Sequence, residues 1–153
     1  SVILDMGGGY GGPTYEHLKE NGVDVVPYKG AEKSLRRTAD RQLGFYNKRS
    51  QVIWQFREAL DPNQDGGSPI ALPDDTTLMA DLTAPTFEVG SRGIKVETKE
   101  DIVKRLGRSP DRGDAVVMSW YGGTRRLVGG HFTSSRGRKP EVITKRSRRQ
   151  RRR

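Results

Sequence analysis

No cysteine occurs in these 153 residues. That excludes a disulfide framework, a thiolate metal centre and any cysteine-based zinc finger, and it suits a reducing compartment. Apolar residues are scarce, at 32%, and no run approaches the roughly 18 consecutive apolar positions of a membrane helix. The N-terminus has neither the charged start nor the long apolar stretch of a signal peptide, so a soluble, intracellular protein is expected. No Gly-x-x-x-x-Gly-Lys-Ser/Thr phosphate loop is present, which removes a P-loop ATPase. Histidine is rare: His17 falls on a predicted surface helix and His131 in a polar tail, and both read as solvated.

Charge is unevenly spread. Residues 1–121 carry 16 basic and 18 acidic side chains, whereas residues 122–153 carry 12 basic and one acidic. The first stretch reads as one slightly acidic globular domain. The second reads as a cationic arm, ending in Arg148, Arg149, Arg151, Arg152 and Arg153. Such an arm suits a polyanion and should be disordered without one.

Val2–Leu4 predicts a short strand, the glycines after Met6 a turn, and Thr14–Glu20 a helix with Pro13 at its start and Asn21-Gly22 as its stop. A second strand over Val23–Tyr28 should then lie parallel to the first. Lys29–Thr38, with Lys29, Lys33, Arg36 and Arg37, reads as a surface loop and a secondary phosphate contact. Leu43, Tyr46, Ile53, Phe56 and Leu60 recur at helical steps, predicting a long helix over 39–60. A loop over 61–69, a short helix over 74–82 capped by Asp74 or Asp75, and a hairpin of 86–89 with 93–97 follow. Thr98–Leu106 predicts a charged helix, and Asp114–Tyr121 a largely buried apolar one. Trp54, Phe56 and Trp120 read as core rather than as platforms for nucleic-acid bases.

Two acidic motifs stand out. Asp5 ends an apolar strand and runs into Gly7-Gly8-Gly9, and Ser109-Pro110-Asp111-Arg112-Gly113-Asp114 opens an apolar helix. A turn or a helix cap would explain either motif alone. Together they favour a metal, because carboxylates placed where buried elements meet turns make hard-cation ligands.

The ordered set resembles the nuclease domain of viral large terminase subunits over roughly residues 1–121. It comprises the acidic-glycine strand end, the amphipathic helix, Leu72-Pro73-Asp74-Asp75, the hairpin, and Lys99 followed by Ser109 to Ala115. The resemblance implies an α/β, ribonuclease-H-like mixed sheet flanked by helices, with an added β-hairpin and a disordered basic tail. It implies a metal-dependent endonuclease that cleaves concatemeric double-stranded DNA with two Mg²⁺ or Mn²⁺ ions. Asp5 and Asp114 resemble the second and third acidic ligands of that family, and Asp111 a neighbouring metal-approaching residue. Lys95, Lys99 and the terminal arginines would contact DNA. A portal protein and a small terminase subunit are implied as partners, and the cytoplasm of an infected host cell as the location.

The family's first catalytic aspartate, on a central strand, has no counterpart upstream of Asp5 in this sequence. The domain is therefore expected to be incomplete at its N-terminus, and the polypeptide alone inactive or nearly so. The alternative from a different class is a non-catalytic DNA-binding or portal-docking module. A third reading, a nucleotide held by the Asp5–Gly9 turn at a helix N-terminus, ranks last, because no acidic residue closes a second strand where a dinucleotide ribose would need it.

Overall fold

The computed structural model describes the backbone of residues 1–129 and the side chains of residues 1–122. Expectations for the arm, including Arg148 to Arg153 and His131, lie outside the described residues.

Strand β1 (Val2–Asp5) pairs in parallel with β2 (Val25–Tyr28), setting Val2 opposite Val25 and Asp5 opposite Tyr28. A 3-10 turn over Gly7–Gly9 and helix α1 (Gly11–Glu20) make the crossover. A parallel pair needs such a connection, and the sequence pattern predicts it. A Cβ at Gly11 would lie 2.7 Å from the Asp5 carbonyl oxygen, so α1 starts directly against the strand end only because that position is glycine.

The long helix expected over 39–60 is shorter, and α2 covers Lys48–Ala59. Asn47 is extended, and its side chain accepts a hydrogen bond from the Ser50 amide, which fixes the helix start. Upstream, the Thr38 hydroxyl hydrogen-bonds Asp40, Arg41 has a φ of 62°, and Gly44 and Tyr46 exchange backbone hydrogen bonds with Ile94. These interactions hold 38–46 as a turn and a strand-like bridge, so Leu43 and Tyr46 leave the helical stripe.

Helix α3 (Thr76–Thr83) follows a cap at Asp75, whose carboxylate accepts from the Thr77 and Leu78 amides. Strands β3 (Phe87–Gly90) and β4 (Gly93–Val96) form the expected antiparallel hairpin, with Glu88 opposite Lys95. Gly93 has a φ of 92° and touches the Gly44 backbone, so the tight end of the hairpin requires glycine. Helix α4 (Lys99–Leu106) is capped by Thr98 and closed by left-handed Gly107. The class is mixed α/β. Among the described residues the strands form two separate two-stranded sheets, and an isolated bridge from Phe45 to Ile94 ties the 38–46 segment to the hairpin.

Helix α5 covers Asp111–Gly129, starting a turn earlier and ending later than the predicted 114–121. Its early start has a cause in α3. Buried Asp81 accepts from the Arg112 and Gly113 amides, capping α5 from another helix. Two glycines allow close approach on opposite sides of α5. A Cβ at Gly113 would fall 2.9 Å from Asp81 Cβ, and one at Gly122 would collide with the Ile3 side chain.

The core joins Tyr28, Val52, Phe56 and Val117, with Ile3, Ile53, Leu60 and Trp120 packed around them. Fully burying each such side chain contributes about 1.5–3 kcal/mol. α5 is less buried than predicted. Val117 is buried, whereas Val116, Met118, Trp120 and Tyr121 remain partly exposed. Trp120 meets the Phe56 ring edge-on, and Trp54 packs against Phe87 and Arg57. No described helix is long and apolar enough to cross a membrane.

Candidate active site

A side chain at the carboxyl end of a strand and one in the first turn of a helix can meet only if the helix lies across the strand. α5 does so. Asp114, Val117, Met118 and Tyr121 share a face at helical spacing, and Tyr121 meets Tyr28 at a ring-centroid distance of 6.2 Å. Asp5, Tyr28, Arg49, Lys95, Lys99, Asp114 and Met118 consequently line one open cleft of about 500 Å³.

Within the cleft, Asp5 Oδ1 accepts a 2.9 Å hydrogen bond from the Gly7 amide, and among the described residues Oδ2 has none. Asp114 Oδ2 lies 3.0 Å from the Lys99 ammonium, which also reaches Asp111 Oδ1 at 3.1 Å. Partial burial opposes the charge on Lys99. Hydrogen bonds and Coulomb attraction from Asp114 and Asp111 outweigh that and hold its ammonium above the ordinary lysine value.

Asp111 stands a turn before Asp114 and is far more exposed, at 75% against 24%. It does not line the cleft. The Ser109 hydroxyl and then Lys99 hydrogen-bond its carboxylate and pull its pKa below the ordinary aspartate range. Lys95 lines the cleft but is paired with Glu88 at 2.9 Å. Among the described residues, no group of three His, Asp or Glu side chains comes together as a metal site.

Two cleft residues escaped the sequence reading. Burial pushes the Tyr28 phenol far above its ordinary pKa; Arg49 opposes this, and the negative charges of Asp5 and Asp114 add to it. The phenol thus stays a proton donor, flanked electrostatically by both carboxylates. Arg49 donates through Nη1 to the Glu97 carbonyl at 2.5 Å, while its Nη2 is buried without a hydrogen-bond partner. An unsatisfied guanidinium edge is costly. The parallel register opposite Asp5 was a usable signal for Tyr28. Nothing local marks Arg49.

Gly7, Gly9 and Gly12 fall on the Gly-x-Gly-x-x-Gly spacing of dinucleotide sites. The rest of that pattern is missing, because β2 ends at Tyr28 with no acidic residue for a ribose.

A small parallel β-α-β unit, a separate hairpin and a helix carrying an aspartate across the strand end make up a mixed α/β fold consistent with a terminase nuclease domain. Two solved structures share it. The nuclease domain of the large terminase subunit gp2 of bacterial virus Sf6 is 25% identical, with a TM-score of 0.54. A lysine-to-alanine mutant of that domain, with manganese and beta-thujaplicinol, is also 25% identical, with a TM-score of 0.51. In each case 76% of this chain is covered, and the chain spans 62% of the neighbour's length. No family model and no curated protein matches.

Proposed function

We propose that this chain is the nuclease module of a viral DNA-packaging terminase, a metal-dependent endonuclease acting on concatemeric double-stranded DNA. One observation carries the reading. Asp5 and Asp114, far apart in the sequence, line a single cleft in a fold shared with terminase nuclease domains. The manganese in the second neighbour supports a divalent cation, and so does the donor chemistry, since Mg²⁺ and Mn²⁺ prefer carboxylate oxygens and retain waters.

Asp5 and Asp114 would hold the metal; Asp111, outside the cleft and bonded to Ser109 and Lys99, would approach it only once Lys99 turns to another anion. A pair of such ions supplies activation of a water and stabilisation of the leaving oxygen. The chain's own groups do the rest. Gly7 fixes one oxygen of Asp5 and leaves the other for coordination. Lys99 exchanges Asp114 for a phosphate oxygen when DNA binds, assisted by Lys95. Arg49 lines the cleft, and its charge is suited to the same phosphate. The Tyr28 hydroxyl remains a neutral donor.

Two carboxylates are fewer than the family uses, and no third ligand gathers with them among the described residues. The reading therefore has the chain alone inactive or nearly so, and completed by a further segment carrying an aspartate. A portal protein and a small terminase subunit as partners, the terminal arginines as DNA contacts and the cytoplasm of the infected host cell as location belong to the same proposal.

Calorimetric titration with Mn²⁺ tests it. Asp5→Asn and Asp114→Asn should each abolish or greatly weaken binding, and plasmid cleavage should require both residues once the completing segment is supplied. Metal binding unchanged in both variants would leave a non-catalytic DNA-binding or portal-docking module.

A further inference from the structure

We infer that a second, basic cavity beside the acidic cleft binds the phosphates of a nucleic-acid strand, as the continuation of one substrate track. The inference rests on the proposed function for the acidic end of that track only. The cavity, of about 700 Å³, lies between the loop after β2 and the hairpin tip; it is lined by Lys33, Arg36, Arg37 and Arg92 and by no acidic residue.

These cations differ in what already holds them. The Arg37 guanidinium donates to the carbonyls of Arg41 and Gln42, so it pins the loop. Lys33, Arg36 and Arg92 are exposed and form no ion pair among the described residues. The Arg92 guanidinium lies over the Tyr46 ring, 4.0 Å from its centroid. This cation–π contact holds the guanidinium in place without pairing it to a carboxylate, which leaves its N–H groups for an anion. In a domain that is acidic overall to residue 121, three unpaired cations around one concavity form a local reversal of charge that attracts a polyanion.

Continuity selects the strand over a small anion. Tyr46, Ala31 and Asn47 border both this cavity and the cleft of Asp5 and Asp114. A phosphodiester backbone passing the acidic end runs on into the basic one, where Lys33, Arg36 and Arg92 meet successive phosphates. These contacts carry position rather than base sequence.

The test is fluorescence anisotropy of a short labelled DNA duplex with the full chain, in chelator, across a salt series. Chelation separates this experiment from the metal reading, whose failure would leave the outcome unaffected. Lys33→Ala/Arg36→Ala is compared with the charge-matched control Lys19→Ala/Lys104→Ala, and all four side chains are exposed. The cavity pair should weaken binding roughly tenfold near physiological salt and flatten the log–log salt slope by about 2. Arg92→Ala should flatten it by about 1, and the control pair should change neither. Equal behaviour of the two double variants overturns the inference. So does inorganic phosphate or polyglutamate binding with the same dependence on Lys33 and Arg36 and an affinity equal to the duplex, which assigns the cavity to a small anion or an acidic protein.

Discussion

The Lys99 ammonium stands 3.0 Å from Asp114 Oδ2, so the carboxylate proposed to hold a metal is already engaged by a cation. Lys99 also bridges to Asp111, tying both acidic residues of the α5 start to one neighbour on α4. A divalent ion and this ammonium compete for the same oxygen. A phosphate brought in with DNA would relieve the competition by giving Lys99 another anion.

Lys99→Met separates these roles. Removing a positive charge within a few ångströms of the site should tighten Mn²⁺ binding on the order of tenfold, as expected from Coulomb repulsion at a partly exposed position. The same variant should weaken binding of DNA. Calorimetry for the metal and anisotropy for DNA check the opposite signs; a loss of metal affinity in Lys99→Met would show that the lysine positions Asp114 rather than competing for it.

Asp81 holds the helix that carries Asp114. It is fully buried, accepts from two amides of the first turn of α5 and lies 2.5 Å from Arg108, as an ion pair outside hydrogen-bond alignment. Asp81→Ala should cost about 2–3 kcal/mol, mostly from the two amides, since half-exposed Arg108 can return to water. Urea denaturation reads the loss. Metal affinity should fall with it, because the Asp114 end of α5 is then held by packing and by the ion pairs of Lys99 and Arg112 alone.

Much of this architecture was legible in the sequence, and the exceptions share a cause. The β1-α1-β2 unit, the hairpin and α4 were readable because local signals sufficed: Asn21-Gly22, the turn before Gly93, and Thr98 with Gly107. The start of α2 was misread because Leu43 and Tyr46 continue the helical spacing by chance, whereas backbone bonds from Thr38 to Leu43 and between Tyr46 and distant Ile94 decide their conformation. The start of α5 was missed because its cap, Asp81, comes from another helix. Within the site, Asp5 and Asp114 were visible as motifs. Their common cleft depends on Gly122 lying against Ile3, and Arg49 enters it from a helix with no local marker.

The cap of α3 was open between two neighbouring aspartates, and the structure chooses. Asp75 accepts from Thr77 and Leu78 and pairs with Arg112 at 2.5 Å, while Asp74 makes no such bond among the described residues. Asp75→Ala should therefore lower the denaturation midpoint, and Asp74→Ala should leave it nearly unchanged. Paired chemical denaturation curves distinguish them, and equal losses would show that the cap is shared.

The acid limit of stability should reflect carboxylates that the fold holds ionised, Glu97 among them. Its hydrogen bonds from Arg105 hold its pKa below the ordinary glutamate value, against partial burial and with help from Thr86. The unfolded chain therefore takes up this proton at a higher pH than the folded one. Stability from Glu97 is complete above the unfolded value of about 4.3 and is lost as pH falls through the lower folded value. Asp75 adds in the same direction, since backbone hydrogen bonds from α3 depress it. Thermal melting should fall steeply below about pH 4.5, and Glu97→Gln should lower the midpoint at neutral pH while flattening this acid dependence. A Glu97→Gln protein that melts with the same acid profile as the parent would remove the Arg105 pairing from the account of acid unfolding.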